Sequence, residues 1–96
     1  MTDNKTHLSR AERIESQLRE RFEPVHFVLT DQSASHAGHA GARPGGETHY
    51  HLAMRASAFE GLSRVARQRL VYDTLREEFD TGLHALTLVL KTPNEV

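Results

Sequence analysis

The chain has 96 residues, with 12 Lys and Arg against 13 Asp and Glu for a net charge of −1, 7 His and no Cys. That length builds one small domain around one core, and the near-neutral balance excludes a strongly basic nucleic-acid binder while leaving room for a local basic stripe. Without cysteine there is no disulfide framework, which suits a reducing, cytoplasmic setting, and no apolar run approaches the length needed to cross a membrane.

Residues 1–7 are polar and read as a disordered tail with no signal peptide, ahead of a single domain over 8–96. Ser9-Arg10-Ala11-Glu12 is a capping box that should start a helix. Ala11, Ile14, Leu18 and Phe22 then recur at helical spacing until Pro24 stops the pattern. Val25, Phe27 and Leu29 alternate with His26, Val28 and Thr30, which predicts a strand with Val25, Phe27 and Leu29 on a core. Residues 32–46 are rich in Gly, Ser, Ala and Pro and far exceed the roughly two to five residues of an ordinary hairpin loop, so they read as a flexible or functional loop.

Tyr50, Leu52 and Met54 mark a second strand, with His49, His51, Ala53 and Arg55 on its open, solvated face. Residues 57–61 form a turn. Ser63 can cap a helix over 63–79 that carries Ala66, Leu70, Val71, Leu75 and Phe79 inward and leaves Arg64, Arg67, Arg69, Arg76 and Glu77 nearer water. Gly82 ends it. Residues 85–90 are nearly all apolar, as expected of a buried or central strand. Thr92-Pro93-Asn94-Glu95 looks like a helix start that the chain does not extend. The order α-β-β-α-β predicts an α+β domain. Its first two strands should pair antiparallel and the last two parallel, giving a three-stranded mixed sheet with the helices on one face.

Four histidines fall in or beside the loop, His36, His39, His49 and His51, and His84 stands just before the last strand. Neutral imidazole is the commonest ligand for borderline metals. A soft metal cluster also wants thiolates, so in a cysteine-free chain such a site has to be finished by a partner. Gly38-His39-Ala40-Gly41 has the GxxG form that clamps nucleic-acid backbone between two helices; between two strands it reads as coincidence. No cysteine nucleophile, Gly-rich phosphate loop or nucleophile elbow is present, so no enzyme is expected.

Taken together, several short motifs resemble the BolA family over nearly the whole chain. They are Phe22-Glu23-Pro24-Val25, Asp31-Gln32-Ser33, Gly46-Glu47-Thr48-His49-Tyr50, Ala58-Phe59-Glu60-Gly61-Leu62, Arg67-Gln68-Arg69-Leu70-Val71-Tyr72 with Leu75, Leu83-His84-Ala85-Leu86 and Thr92-Pro93. The resemblance implies a fold similar to class II KH domains. It also implies a monothiol glutaredoxin partner that shares a [2Fe–2S] cluster with the chain, held by the glutaredoxin cysteine, glutathione and two BolA ligands. Those ligands would be His36 from the loop and His84 from the last motif, with His39 as an alternative loop ligand. BolA proteins are also described as stress-linked transcription regulators. A second reading is therefore a DNA-binding regulator using the helix 63–79, its surface formed by Arg64, Arg67, Gln68, Arg69 and Arg76. Asp73, Glu77, Glu78 and Asp80 offset that charge, so DNA binding is expected to be weak. The chain departs from the family at Gln68, where a His is usual, and in the missing last helix. The topology should bring His36 and His84 together at one end of the sheet.

Overall fold

Ser9 caps the first helix as its spacing from Glu12 predicts. Its Oγ accepts from the Glu12 N–H at 3.2 Å and the Glu12 carboxylate accepts from the Ser9 N–H at 3.0 Å, so two N-terminal donors are satisfied reciprocally. The same bonds hold the Glu12 carboxyl below its ordinary value. In the computed structural model, which describes residues 8–33 and 48–96, the helix α1 spans Arg10–Phe22 and buries Ile14, Leu18 and Phe22 along one stripe. It ends at Glu23, whose left-handed backbone (φ 47°) returns its N–H to the Arg19 carbonyl; Pro24 has no N–H with which to continue.

The strands β1 (His26–Asp31), β2 (His49–Arg55) and β3 (Ala85–Lys91) form one sheet in the order β1-β2-β3. The first pair is antiparallel and the second parallel, as the element order predicts. The registers Leu29↔Leu52↔Leu88 and Phe27↔Met54↔Leu90 lay two apolar rows across one face. The helices α2 (Arg64–Thr74) and α3 (Arg76–Asp80) follow a short 3-10 turn at Ser57–Phe59. Val71 and Leu75 join Ile14, Leu18 and Phe22 over Tyr50, Leu52 and Met54 in one core, with Phe22 and Phe59 rings 5.3 Å apart. On the opposite face Val28, Ala53 and Val89 share a row, and both valines are exposed.

Several expectations about the elements need correction. The helix expected over 63–79 is two helices that meet at Leu75. Thr74 donates its hydroxyl back to the Leu70 carbonyl at 2.8 Å, a local bond that competes with the helical ladder and bends it. Residues 85–91 form an edge strand; β2 is the central one. The apolar run reflects partial burial of Leu88 and Leu90 with full burial of Leu86, while Thr87 and Val89 face out. Val25 precedes β1 and is exposed at 69 %, so the core face of that strand starts at Phe27. Residues 92–95 close into a turn, with Glu95 N–H on the Thr92 carbonyl and Thr92 N–H on the Glu95 carboxylate. The expected tail over 1–7 lies outside the described residues, as does the loop beyond Ser33.

The outer edge of β3 is partly occupied. Ala85 and Lys91 turn their backbone groups toward the sheet, through Ala85 N–H to Thr48 O and Ala56 N–H to Lys91 O. By alternation the groups of residues 86, 88 and 90 point away. The Tyr72 hydroxyl donates to the Leu86 carbonyl at 3.0 Å and Arg67 donates to the Leu90 carbonyl at 3.1 Å.

Glu78, expected among solvated charges, is 4 % exposed. Its carboxylate accepts from Arg10 at 2.7 Å, from Arg13 at 3.0 Å and from the Gln17 amide at 3.1 Å. Arg10 also donates to the Glu78 and Thr81 carbonyls. Burial alone would raise the Glu78 carboxyl, but the hydrogen bond and charge of Arg13, the charge of Arg10 and the Gln17 bond outweigh it and hold the group below its ordinary value. A carboxyl lowered on folding contributes stability that is present above the unfolded-state pKa and is lost as pH falls through the folded one. Glu78→Ala should lower unfolding stability near neutral pH by about 3–5 kcal/mol, the usual cost of stranding a buried partner charge. The gap to wild type should narrow as pH falls through the carboxylate range. Urea unfolding of both proteins at neutral and acid pH measures this, and a gap that does not change with pH would count against the carboxylate charge as its source.

Candidate functional site at the loop mouth

The 32–46 loop leaves the sheet at Ser33 and the chain returns at Thr48, and these two residues are tied together. Ser33 Oγ accepts from the Thr48 N–H at 2.9 Å and from the His49 N–H at 3.1 Å. Ser33 itself is held by its N–H on the Asp31 carboxylate at 2.8 Å, and Gln32 N–H bonds the His49 carbonyl at 2.7 Å. Ser33 and Thr48 are both buried, so the mouth of the loop is a fixed part of the sheet.

Thr48 also fixes the start of β3. Its carbonyl accepts from the His84 N–H at 2.8 Å and the Ala85 N–H at 3.1 Å, and its hydroxyl lies 2.8 Å from His49 Nδ1. The rings of His49 and His84 pack with centroids 5.1 Å apart and planes tilted by 49°. His49 is 6 % exposed, whereas His84 is exposed. The backbone of His84 is anchored, one side of its ring rests on a buried imidazole, and the rest meets solvent. Such a mount suits a ligand that must present a nitrogen without collapsing onto its own chain. His84 stands at the loop mouth, where the topology requires it. His36 and His39, and the GxxG segment 38–41, lie outside the described residues. Among the described residues no group of three or more His, Asp or Glu could hold a metal by itself.

The second candidate surface, Arg64, Arg67, Gln68, Arg69 and Arg76, is divided by the structure. Arg67, expected near water, has a side chain only 13 % exposed and donates to the carbonyls of Leu62 and Leu90 and to the Glu95 carboxylate at 2.7 Å. The carbonyls it meets are at the end of a helix-leading turn and on the edge of β3, positions where a long cationic side chain satisfies backbone oxygens that no strand reaches. Arg76 pairs with Asp73 at 3.3 Å on the surface. Arg64 and Arg69 are exposed, and Arg64 and Gln68 line a groove against β3.

The family model for BolA-like proteins matches residues 18–95, from the second half of α1 through β3 and the following turn. The chain belongs to the BolA-like family. The BolA chain is 51 % identical to Protein BOLA1, chloroplastic, of Arabidopsis thaliana over 89 residues, covering 91 % of this chain and 56 % of that protein. It is 47 % identical to the Arabidopsis SufE-like protein 1, chloroplastic/mitochondrial, over 92 % of its own length and 25 % of the relative's. It thus spans about half or less of these two relatives. The UV-induced protein uvi31 of Schizosaccharomyces pombe matches at 42 % identity over 93 % of this chain and 91 % of that one. Among solved structures, the BolA domain of SufE1 from Arabidopsis thaliana superposes with a TM-score of 0.84 at 46 % identity, covering 93 % of this chain and 98 % of the other. No helix among the described residues is long and apolar enough to cross a membrane.

His49 is where the BolA chain departs most from its sequence pattern. Strand alternation assigns it to a solvated face, yet it is buried, because at the first residue of β2 the Thr48 hydroxyl and the His84 ring close over it. Ser33 and Thr48 carry no periodicity signal in the sequence; their role is the hydrogen bonding at the mouth. His51 does face the open side, its Nδ1 2.7 Å from the Thr87 hydroxyl. Ser33→Ala removes the acceptor of two buried N–H groups, each costing about 1–3 kcal/mol when left unsatisfied. Amide exchange at Thr48, His84 and Ala85 should therefore quicken selectively, and a variant with wild-type protection at those amides would show that the clamp does not hold the mouth.

Proposed function

We propose that this BolA protein partners a monothiol glutaredoxin and shares a [2Fe–2S] cluster with it as cargo, in iron–sulfur trafficking or iron sensing, with no enzymatic activity of its own. The observation that carries this reading is the solvent-facing His84 imidazole, anchored through Thr48 at the end of the sheet where the histidine-bearing loop leaves and returns. The donor chemistry fits an incomplete site. The chain offers imidazoles and no thiolate, so a cluster bound here would take its sulfur ligands from the glutaredoxin cysteine and glutathione. His84 would supply the fixed ligand and His36 the loop ligand, with His39 as its substitute. Two imidazoles on one iron give a higher potential than an all-thiolate cluster. His49, buried behind His84, would hold that ring in place. The cysteine-free composition suits a reducing, cytoplasmic setting, although relatives carry chloroplastic and mitochondrial names.

Titrating the protein into cluster-loaded monothiol glutaredoxin with glutathione should shift the visible spectrum to that of a mixed-ligand cluster. His84→Ala should abolish the shift. His36→Ala should weaken it, with partial rescue by His39. An unchanged spectrum for the His36→Ala, His84→Ala double variant would sink the ligand assignment. Imidazole binds metal only when neutral, so the heterodimer should weaken as pH falls through the histidine range. The heterodimer should also respond little to salt, whereas DNA binding through Arg64 and Arg69 would weaken steeply as salt rises.

A further inference from the structure

A groove of about 340 Å³ runs between the start of α2 and β3, lined by Arg64, Arg67, Gln68 and Lys91 together with Leu88 and Leu90. Three cations face it against one anion, Glu95. Glu95 belongs to the turn after β3, and its Oε1 accepts from Arg67 Nη1 at 2.7 Å and from the Thr92 N–H at 2.8 Å. The Thr92 N–H and Arg67 together lower its carboxyl to about 2. The side chain is nevertheless 43 % exposed, so it lies over the groove without filling it. The side chains of Arg64 and Gln68 have no hydrogen-bond or ion-pair partner among the described residues, and there Lys91 Nζ meets only the backbone oxygen of Val96. Arg67 is nearly buried and held in place by the Leu62 and Leu90 carbonyls. Its guanidinium is therefore preorganised: Nε and Nη1 hold the two carbonyls, and Nη1 also meets one oxygen of the Glu95 carboxylate, so a fixed positive charge faces whatever carboxylate sits there.

We propose that this groove recognises a carboxylate on an acidic segment of a partner protein, and that Glu95 is an intrachain stand-in which such a segment displaces. An acidic peptide fits better than a nucleic-acid backbone. The group already seated there is a carboxylate, the lining includes Leu88 and Leu90, and Arg76 does not extend the cationic surface as a free charge because it pairs with Asp73. The proposal does not depend on the histidine ligands, so the two readings fail separately.

The test uses the full chain, titrated at physiological salt with a capped tetra-glutamate peptide and, separately, with a thymidine oligonucleotide of the same net charge. Affinity is read by calorimetry and location by amide chemical shifts. The peptide should shift the amides of Arg64, Gln68 and Lys91. Glu95→Gln removes the competing charge while its amide oxygen still accepts from Thr92, and it should bind the peptide about two- to fivefold more tightly, the range expected of one partly exposed ion pair. Arg64→Gln and Lys91→Gln, neither of which anchors the core, should each weaken binding by a similar factor. An affinity unmoved by Glu95→Gln would overturn the proposal, as would peptide shifts confined to other surfaces or tighter binding of the oligonucleotide in this groove.

Discussion

Thr48 has every polar group engaged, and the sheet depends on it. Its N–H meets Ser33 Oγ, its carbonyl takes the N–H groups of His84 and Ala85, and its hydroxyl meets His49 Nδ1. β3 runs parallel to β2 and reaches it only after a long crossover through α2 and α3, so no tight turn sets its register. The two N–H groups on the Thr48 carbonyl set it. A slip of one residue would send Leu86, Leu88 and Leu90 to the open face and carry His84 away from the loop mouth. The same few bonds therefore decide what the core contains and where the exposed imidazole stands.

A second constraint acts from the far side of the core. The Arg10–Glu78 pair joins the first turn of α1 to α3 across 68 residues of chain, and Glu78 also holds Arg13 and Gln17. A buried ion pair is weak evidence for net stability, because desolvation offsets much of the attraction. It is better evidence for geometry, since a misplaced α3 would leave charges stranded. The break at Leu75 is what allows this geometry. Leu75 stays in the core while Glu78, in the short helix after it, reaches the side chains of α1.

Much of the architecture was legible because it rests on local rules. The capping box at Ser9 and Glu12, the four-residue spacing of Ile14, Leu18 and Phe22, and the alternation of Tyr50, Leu52 and Met54 each report one periodicity. The chain order then gives the mixed sheet. The misreadings share a different cause. The burial of Glu78 and Arg67 and the packing of His49 against His84 come from contacts between residues distant in sequence, and a charged or imidazole side chain carries no local sign of its distant partner. The apolar run at 85–90 suggests a buried or central strand for a related reason: sheet order follows from pairing, which leaves this strand at the edge, and is not written in the strand itself. Of the site, the position of His84 followed from topology, while the Ser33–Thr48 clamp that fixes it could not be read from spacing.

The two hydroxyl and guanidinium contacts along β3 have a consequence for the protein in concentrated solution. An open strand edge is a template on which a second chain can anneal, and proteins blunt such edges in several ways. Here two of the three carbonyls that alternation turns outward between residues 86 and 90 already accept bonds from Tyr72 and Arg67. Of those outward carbonyls only that of Leu88 is left without a side-chain donor, so a foreign strand would have to displace Tyr72 or Arg67 to pair along the whole edge. This helix side chain pair therefore works against edge-to-edge polymerisation, and it does so without a proline or a bulge that would bend β3 and disturb the placement of His84 at its start.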